Sequence, residues 1–317
     1  MEAHKRNRNP EYKPEYKGIN WSEYEKNLKN RGNICLWMSD EVIREWRADS
    51  KNVRGGQQIY SDLAIEIILS LRLLFHLPLR QAEGFVESIF QLMKVDLPIP
   101  DHTTLSRKLD IKIKRPPSDG KPMHLIVDST GFSIHGSSPW SEYKHGGGKK
   151  RRGWRKLHIL IDQDGFIQAN IVTDETTSDG SQVPNLIEKL DRDFDSLTGD
   201  RGYDDKTVYR AIGDRKHVVH PIKTAVLSGE QRWTMRDYHV HRIKKDGAFH
   251  WRRESGYYQQ SKVENTFYRY KTILGRKFRA RTAAESPMQN RLTETIIGCN
   301  ILNKFIENGR CKSVLVA

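Results

Sequence analysis

The chain has 317 residues, 36% hydrophobic and 30% charged, with 54 basic against 40 acidic side chains; at roughly 150 residues per domain that is two units or one large unit with an appendage, globular rather than disordered or fibrous. Its most apolar stretch, Leu63 to Leu77, is broken by Glu66 and Arg72 and falls short of the ~20 apolar residues of a membrane span, and no apolar run that would make a secretory signal follows the basic amino terminus. Three cysteines (Cys35, Cys299, Cys311) without a CxxC pair argue against a disulfide framework or structural zinc and fit a reducing cytoplasm.

Residues 1–60 read as a basic arm with short helical pieces. Ser61 caps a helix running to about His76, apolar on nearly every face and therefore buried. Pro78 opens a second helix whose Ala82, Phe85, Val86, Ile89 and Met93 follow the i, i+3, i+4 rule. Asp101 to Leu109 forms a third, with Leu105 and Leu109 inward and Thr104, Arg107 and Lys108 outward. Three such helices suit either a helix-turn-helix that lays the last one in a major groove or a plain bundle with a polar last helix. Ile111 to Lys121, with Pro116, Pro117 and Gly120, reads as a linker.

Beyond it the period changes. Met123 to Val127 is a short buried strand ending at Asp128; Leu157 to Ile161, the turn Asp162 to Gly165, and Phe166 to Val172 form a strand pair. An amphipathic helix carries Val183, Leu186, Ile187 and Leu190; then come a strand over Phe194 to Gly199 ending at Asp200, a helix over Lys206 to Ile212, and a strand over His217 to Ile222. Three strands, helix, strand, helix, strand make a mixed α/β sheet of five strands rather than a doubly wound nucleotide fold.

Charge is uneven along this order. Residues 201 to 281 hold 20 Lys/Arg against 8 Asp/Glu, whereas 161 to 200 hold 10 acids against Lys189 and Arg192. The basic stretch is interleaved with Trp233, Tyr238, Trp251, Tyr257, Tyr258 and Phe267. Cations neutralise phosphate and aromatic faces stack on bases, so nucleic acid suits this stretch; a solvated basic surface is the alternative. Asp128 and Asp200 end separate strands, and if these are neighbours the two carboxylates converge at one sheet edge. Like charges held together there call for a cation, and an all-oxygen set suits Mg²⁺ or Mn²⁺. A third acid, Glu264, lies beside an inward stripe of Val263, Phe267, Tyr270 and Leu274, and Tyr257, Gln260, Glu264, Tyr268 and Lys271 share one helix face. His239 and His241 form an HxH without further ligands at zinc spacing and read as surface histidines, in what looks like a strand. Lys149 to Arg152 suits a backbone contact or a solvated charge run, and Gly146 to Gly148 lacks the GKS/T ending of a phosphate loop, so no nucleotide cofactor is implied.

Together Asp128-Ser129-Thr130-Gly131, Gly199-Asp200-Arg201-Gly202-Tyr203-Asp204 and Tyr257-x2-Gln260-x3-Glu264-x6-Lys271 resemble the three blocks of the DDE transposases of bacterial insertion sequences, most of all the insertion-sequence-5 family. The resemblance covers about Lys121 to Arg281. It implies an RNase H-like catalytic domain over 121–285; the helices before it read as an all-α, helix-turn-helix-like DNA-binding region over 61–115, and residues 286–317 as a C-terminal helix. It also implies two Mg²⁺ ions, replaceable by Mn²⁺, held by Asp128, Asp200 and Glu264 for breakage and joining of element ends. Double-stranded DNA, as element ends and target, would be the partner of a homodimer without membrane association. DNA contacts would come from Arg201, Tyr257, Gln260, Lys271, Arg276, Lys277 and Arg279, and from Thr104 and Arg107 in the third helix. Gln260 stands where the family usually has arginine. A nuclease without strand transfer and a non-catalytic regulator derived from a transposase are the rival readings.

Overall fold

The computed structural model describes residues 15–49, 57–106, 111–117, 120, 122–134, 154–229, 233–280 and 287–316. In chain order these form β1 (Glu15–Gly18), α1 (Trp21–Arg31), α2 (Asp40–Arg44), α3 (Asp62–Leu74), α4 (Leu79–Met93), α5 (His102–Leu105), β2 (Met123–Ile134), β3 (Trp154–Ile161) and β4 (Ile167–Asp174). They continue with α6 (Val183–Ile187), β5 (Phe194–Gly199), α7 (Lys206–Ile212), β6 (Lys216–Val219), α8 (Met235–Ser255), α9 (Ser261–Ile273), β7 (Lys277–Phe278), α10 (Pro287–Glu307) and β8 (Ser313–Val316).

The main sheet runs β4-β3-β2-β5-β6, with β7 added beside β2. Strand β3 pairs antiparallel with both β2 and β4, whereas β5 and β7 each lie parallel to β2, and β6 parallel to β5. This order is compatible with an RNase H-like fold. The sheet has six strands rather than the expected five, because the two residues of β7 pair with the far end of β2, Ser133 opposite Lys277 and Ile134 opposite Phe278. Strand β2 is also longer than its apolar run. It continues through Asp128 to Ile134, because β3 begins early and pairs Trp154 with Ser133.

That extra length shapes the centre of the molecule. Strand β5 pairs with β2 only as far as Ile126 opposite Thr198, and β7 takes up the same side only at Ser133. Between those points no strand among the described residues lies beside this edge of β2. Side chains alternate along a strand, and the core shows the alternation: Met123, Leu125 and Val127 pack with α6 and α7, while Ile126 and Phe132 join Val263, Phe267 and Tyr270 of α9 and Leu274 just after it. Asp128 shares the parity of Ile126. It therefore points to the side where α9 lies, at the unpaired edge.

The N-terminal helices belong to the same core as the α9 face of the sheet and α10. Ser61 accepts the Ala64 N–H at 3.1 Å and so caps α3, and Pro78 stands at the start of α4. Helix α5, capped by Asp101 through the Thr104 N–H, is a single turn within the described residues; Arg107 lies outside them, as does the run Lys149 to Arg152. Buried amides on α10 join these parts: Asn300 bonds Glu66 and the Lys112 and Lys114 backbone, and Asn303 bonds Ile167 and Lys114. Beyond α10, β8 pairs antiparallel with β1 and brings the two ends of the described chain together.

Helix α8 doubles back. Gly247 has φ +83° and ψ 155°, a backbone region open to glycine. Twelve residues apart, Trp251 Nε1 donates to His239 Nδ1 at 2.9 Å, and Arg242 pairs with Glu254, contacts that a straight helix of ~1.5 Å rise per residue would hold far apart. His239 is thus buried, its Nε2 against the His217 carbonyl. The expectation of surface histidines in a strand is overturned for it, because the return of the chain at Gly247 covers it with Trp251.

Candidate active site

Asp128 sits in the unpaired stretch of β2, opposite Ile159 of β3, and its Oδ1 accepts the Ser129 N–H at 2.7 Å. Burial pushes its carboxyl up to about 7; the Ser129 N–H opposes this, while the charges of Asp200, Glu264 and Asp179 add to it. Asp200 follows β5 directly and caps the turn Arg201–Tyr203, its Oδ1 accepting the Gly202 N–H at 2.8 Å. Glu264 stands exposed in the first turn of α9, while Val263, Thr266 and Phe267 beside it are buried. The three acids therefore share one electrostatic environment. They are not a ready-made ligand set: among the described residues no three His, Cys, Asp or Glu side chains are gathered as a metal site. As donors they fit a hard divalent cation, and the desolvated Asp128 carboxyl, facing three other acids, is a group that a cation would relieve.

Cations and aromatics surround these acids. Lys271 Nζ donates to Thr130 Oγ1 at 2.6 Å and stands 5.4 Å from the centre of the Phe132 ring. Burial and the neighbouring Arg276 lower its ammonium, and Asp128 raises it. The Arg201 guanidinium lies against the His220 ring at 3.2 Å. Tyr257 packs edge-on to His220 at 5.4 Å and tilted against Trp251 at 5.3 Å. Its phenol is raised by burial and by the charge of Asp200, and lowered by Arg252 and Arg201.

Gln260 is placed otherwise than a phosphate contact requires. It is 4% exposed, and its Nε2 donates to the Val127 carbonyl at 3.1 Å. The side chain thus joins the turn preceding α9 to the residue before Asp128.

The remaining cations lie apart from the acids. Arg276 and Lys277 are exposed, and the Arg276 carbonyl accepts the Ser133 N–H. Arg279 is half-buried against His76 Nδ1 at 2.5 Å, and its backbone N–H bonds the half-buried Glu294. With Arg72, His76 and Arg80 these three residues line a cleft between the N-terminal helices and the β7–α10 side. Thr104 is half-buried on α5, whose His102, Leu105 and Ser106 border the same cleft.

Sequence reading missed four residues here. Tyr203 is buried with its hydroxyl raised by burial and by Asp128, Asp179 and Asp200. Asp179, Lys156 and His220 come from a turn, a strand and a strand end that carry no local motif. Only the pairing of the strands, β4 on β3, β3 and β5 on β2, and β6 on β5, brings them to the site.

Residues 29–137 match a family model described as a transposase DDE domain, and residues 119–289 match a second of the same description. The second covers more than half of the chain, including the sheet and all three acids.

Proposed function

The chain belongs to the DDE transposase family, and from that premise we propose that it binds the inverted-repeat ends of its own insertion sequence, cleaves them and transfers the freed 3′-hydroxyls to target DNA. The observation that carries the reading is Asp128: a partly buried carboxyl on the stretch of β2 between β5 and β7, close enough to Asp200 and Glu264 for their charges to push it up. Asp128, Asp200 and Glu264 would hold two divalent cations, Mg²⁺ or Mn²⁺ in its place. Bound there, the cations would supply charge neutralisation at the attacking and leaving oxygens of an in-line displacement.

The chain's own groups do the rest. Lys271, beside Asp128 and backed by Arg276, is a fixed positive charge suited to a phosphate of the scissile strand, and Arg201 is a second beside Asp200. Tyr257, held between His220 and Trp251, presents a rigid ring beside Asp200 on which a nucleotide can stack. Because the attacking groups are water and then DNA itself, no side chain forms a covalent intermediate, and rate comes from positioning and charge. Arg276, Lys277 and Arg279 continue the basic track toward the N-terminal helices, where α5 would meet the DNA. Two ends must be held at once, so a homodimer on DNA follows, and membership of the insertion-sequence-5 branch rests on the Tyr257, Glu264 and Lys271 spacing.

Gln260 acts as a strut in this scheme. It ties the turn before Glu264 to the strand holding Asp128, where the family's arginine would offer charge. Gln260→Arg should therefore add nothing to the salt dependence of end binding and should lower stability, because a guanidinium would replace a buried amide. Gln260→Ala, leaving the Val127 carbonyl unpaired, should cost about 2 kcal/mol. Denaturant melts with end affinity at several salt concentrations check both; an added unit of slope at unchanged stability would restore the phosphate clamp.

The function itself is tested with the full chain, Mg²⁺ and labelled DNA from the sequences flanking its own gene. Strand breakage with joined product supports it. Breakage without joining favours a nuclease, and binding without breakage a regulator.

A further inference from the structure

The cleft between the N-terminal helices and the β7–α10 side has two kinds of lining. Its volume is about 1080 Å³, at the upper end of small-ligand pockets. Leu73, Leu105, Leu274 and Ile297, all buried, give it apolar walls. Arg72, Arg80, Arg276, Lys277 and Arg279 line it as well, against Glu294 as the one acid among the described lining residues. That acid is already engaged: its oxygens accept the Arg279 and Ala280 backbone N–H groups at 2.7 to 3.1 Å. Arg72 Nε is buried without a hydrogen-bond partner. None of the five cations meets an acid side chain at ion-pair distance among the described residues. The positive charge of the cleft is therefore left unbalanced by the protein.

His76 adds a second observation. It ends α3 with φ +57°, and the Leu77 N–H reaches back to the Arg72 carbonyl at 3.0 Å. A helix closed in this way takes glycine at the left-handed residue with least strain. Here the residue is a histidine, whose Nδ1 accepts from Arg279 Nη2 at 2.5 Å and so joins the two sides of the cleft. Burial and the Arg279 charge lower its imidazolium, and a neutral ring that accepts at Nδ1 carries its proton on Nε2. Glycine would relax the turn and leave Arg279 without this support.

A ligand that matches such a lining carries closely spaced negative charges together with flat apolar surface. A duplex presents phosphate and sugar, keeps its base faces stacked inside, and would leave the apolar walls idle. An unpaired strand offers phosphates to the cations and base faces to the leucines. Helix α9 relates the cleft to the acids: Glu264 lies in its first turn and Leu274 directly after its last, about 15 Å apart at ~1.5 Å per residue. At a rise of ~3.4 Å per nucleotide, a strand held at the acids reaches the cleft within about four or five nucleotides.

We infer that the cleft holds unpaired nucleotides of a DNA strand, base faces against Leu73, Leu105, Leu274 and Ile297 and phosphates on the cations, with His76 fixing Arg279 in place. The inference rests on the reading of the chain as an enzyme of DNA ends, and adds to it a single-strand site apart from the three acids.

The test is fluorescence anisotropy with the full chain in chelator, using a labelled short oligothymidine, an abasic strand of equal phosphate number and duplex end DNA, for the parent, Arg72→Met and His76→Gly. The parent should bind oligothymidine at least about tenfold tighter than the abasic strand, because base contacts add to phosphate contacts. Arg72→Met should weaken oligothymidine binding about tenfold, the scale of a hydrogen bond to a charged group. His76→Gly should weaken it about threefold at an undiminished thermal midpoint, since glycine suits the turn. Both variants should hold duplex within about twofold of the parent. Equal losses on duplex would make the cleft part of the ordinary backbone track and overturn the inference. So would unweakened oligothymidine binding by both variants, or equal parent affinity for the abasic strand. A parent that binds duplex ends but no oligothymidine overturns the inference alone, whereas a parent that binds neither overturns the DNA reading with it. Should Arg72→Met fail to fold, His76→Gly decides by the same comparison.

Discussion

Without divalent cations, Asp128→Asn should be more stable than the parent at pH 8 by about 4 kcal/mol, relative to their difference at pH 4. The folded state keeps the Asp128 proton up to about pH 7, whereas the unfolded chain releases it near the ordinary aspartate value of about 3.9. The folded state therefore binds more protons through this window. Stability contributed at low pH is lost as pH rises through it, at about 1.4 kcal/mol per unit. Asparagine does not titrate and escapes the loss. Saturating Mg²⁺ should restore much of it to the parent, since an ion bound only by the folded state stabilises it, and should do less for Asp128→Asn. Denaturant melts at pH 4, 6 and 8 with chelator or Mg²⁺ read this directly. A parent–variant difference at pH 8 equal to that at pH 4 would mean that Asp128 does not keep its proton in the folded state.

The second large effect concerns salt. Arg276 and Lys277 are exposed and meet no acid partner among the described residues, whereas Arg279 is engaged with His76. If the first two each meet a phosphate, replacing both by alanine should reduce the slope of log affinity against log salt by about 2 units, and adding Arg279→Ala should bring the change toward ~3. Between about 50 and 200 mM salt the parent would then lose about tenfold more affinity than the double variant. End DNA and random DNA should weaken alike, because phosphate contacts carry no sequence. A loss confined to end DNA would make these residues readers of sequence. Thr104 and Arg107 should behave oppositely and shift preference among end sequences; uniform weakening would leave α5 a phosphate contact or a bundle element.

Much of this architecture was legible in local patterns. Ser61 and Pro78 mark the starts of α3 and α4 where the structure has them, the Asp162 to Gly165 turn joins β3 to β4, and the stripe of Val263, Phe267 and Tyr270 faces the core. Such features depend on neighbours a few residues away. What escaped depends on distant pairing. Polar Ser129 to Ser133 look like a loop until Trp154 to His158 pair with them, which places Asp128 inside a strand rather than at its end. Two residues of β7 have no periodicity to read, and β1 finds its partner nearly 300 positions away. The same holds at the site: spacing put Gln260 on one helical face with Glu264 and Lys271, but the turn Tyr257–Gln260 is a 3-10 helix that sends it inward to Val127.

The measurement that bears most directly on the acids is Mg²⁺-dependent cleavage of end DNA by Asp128→Asn, Asp200→Asn and Glu264→Gln, each with its end affinity. These exchanges remove a charge and barely change volume. Each variant should fold and bind end DNA within a few-fold of the parent, while cleavage falls by about three orders of magnitude or more, as expected when a charged group at a reacting centre is lost. Cleavage at the parent's rate by any one of them would remove that residue from the site and contradict the account built on it.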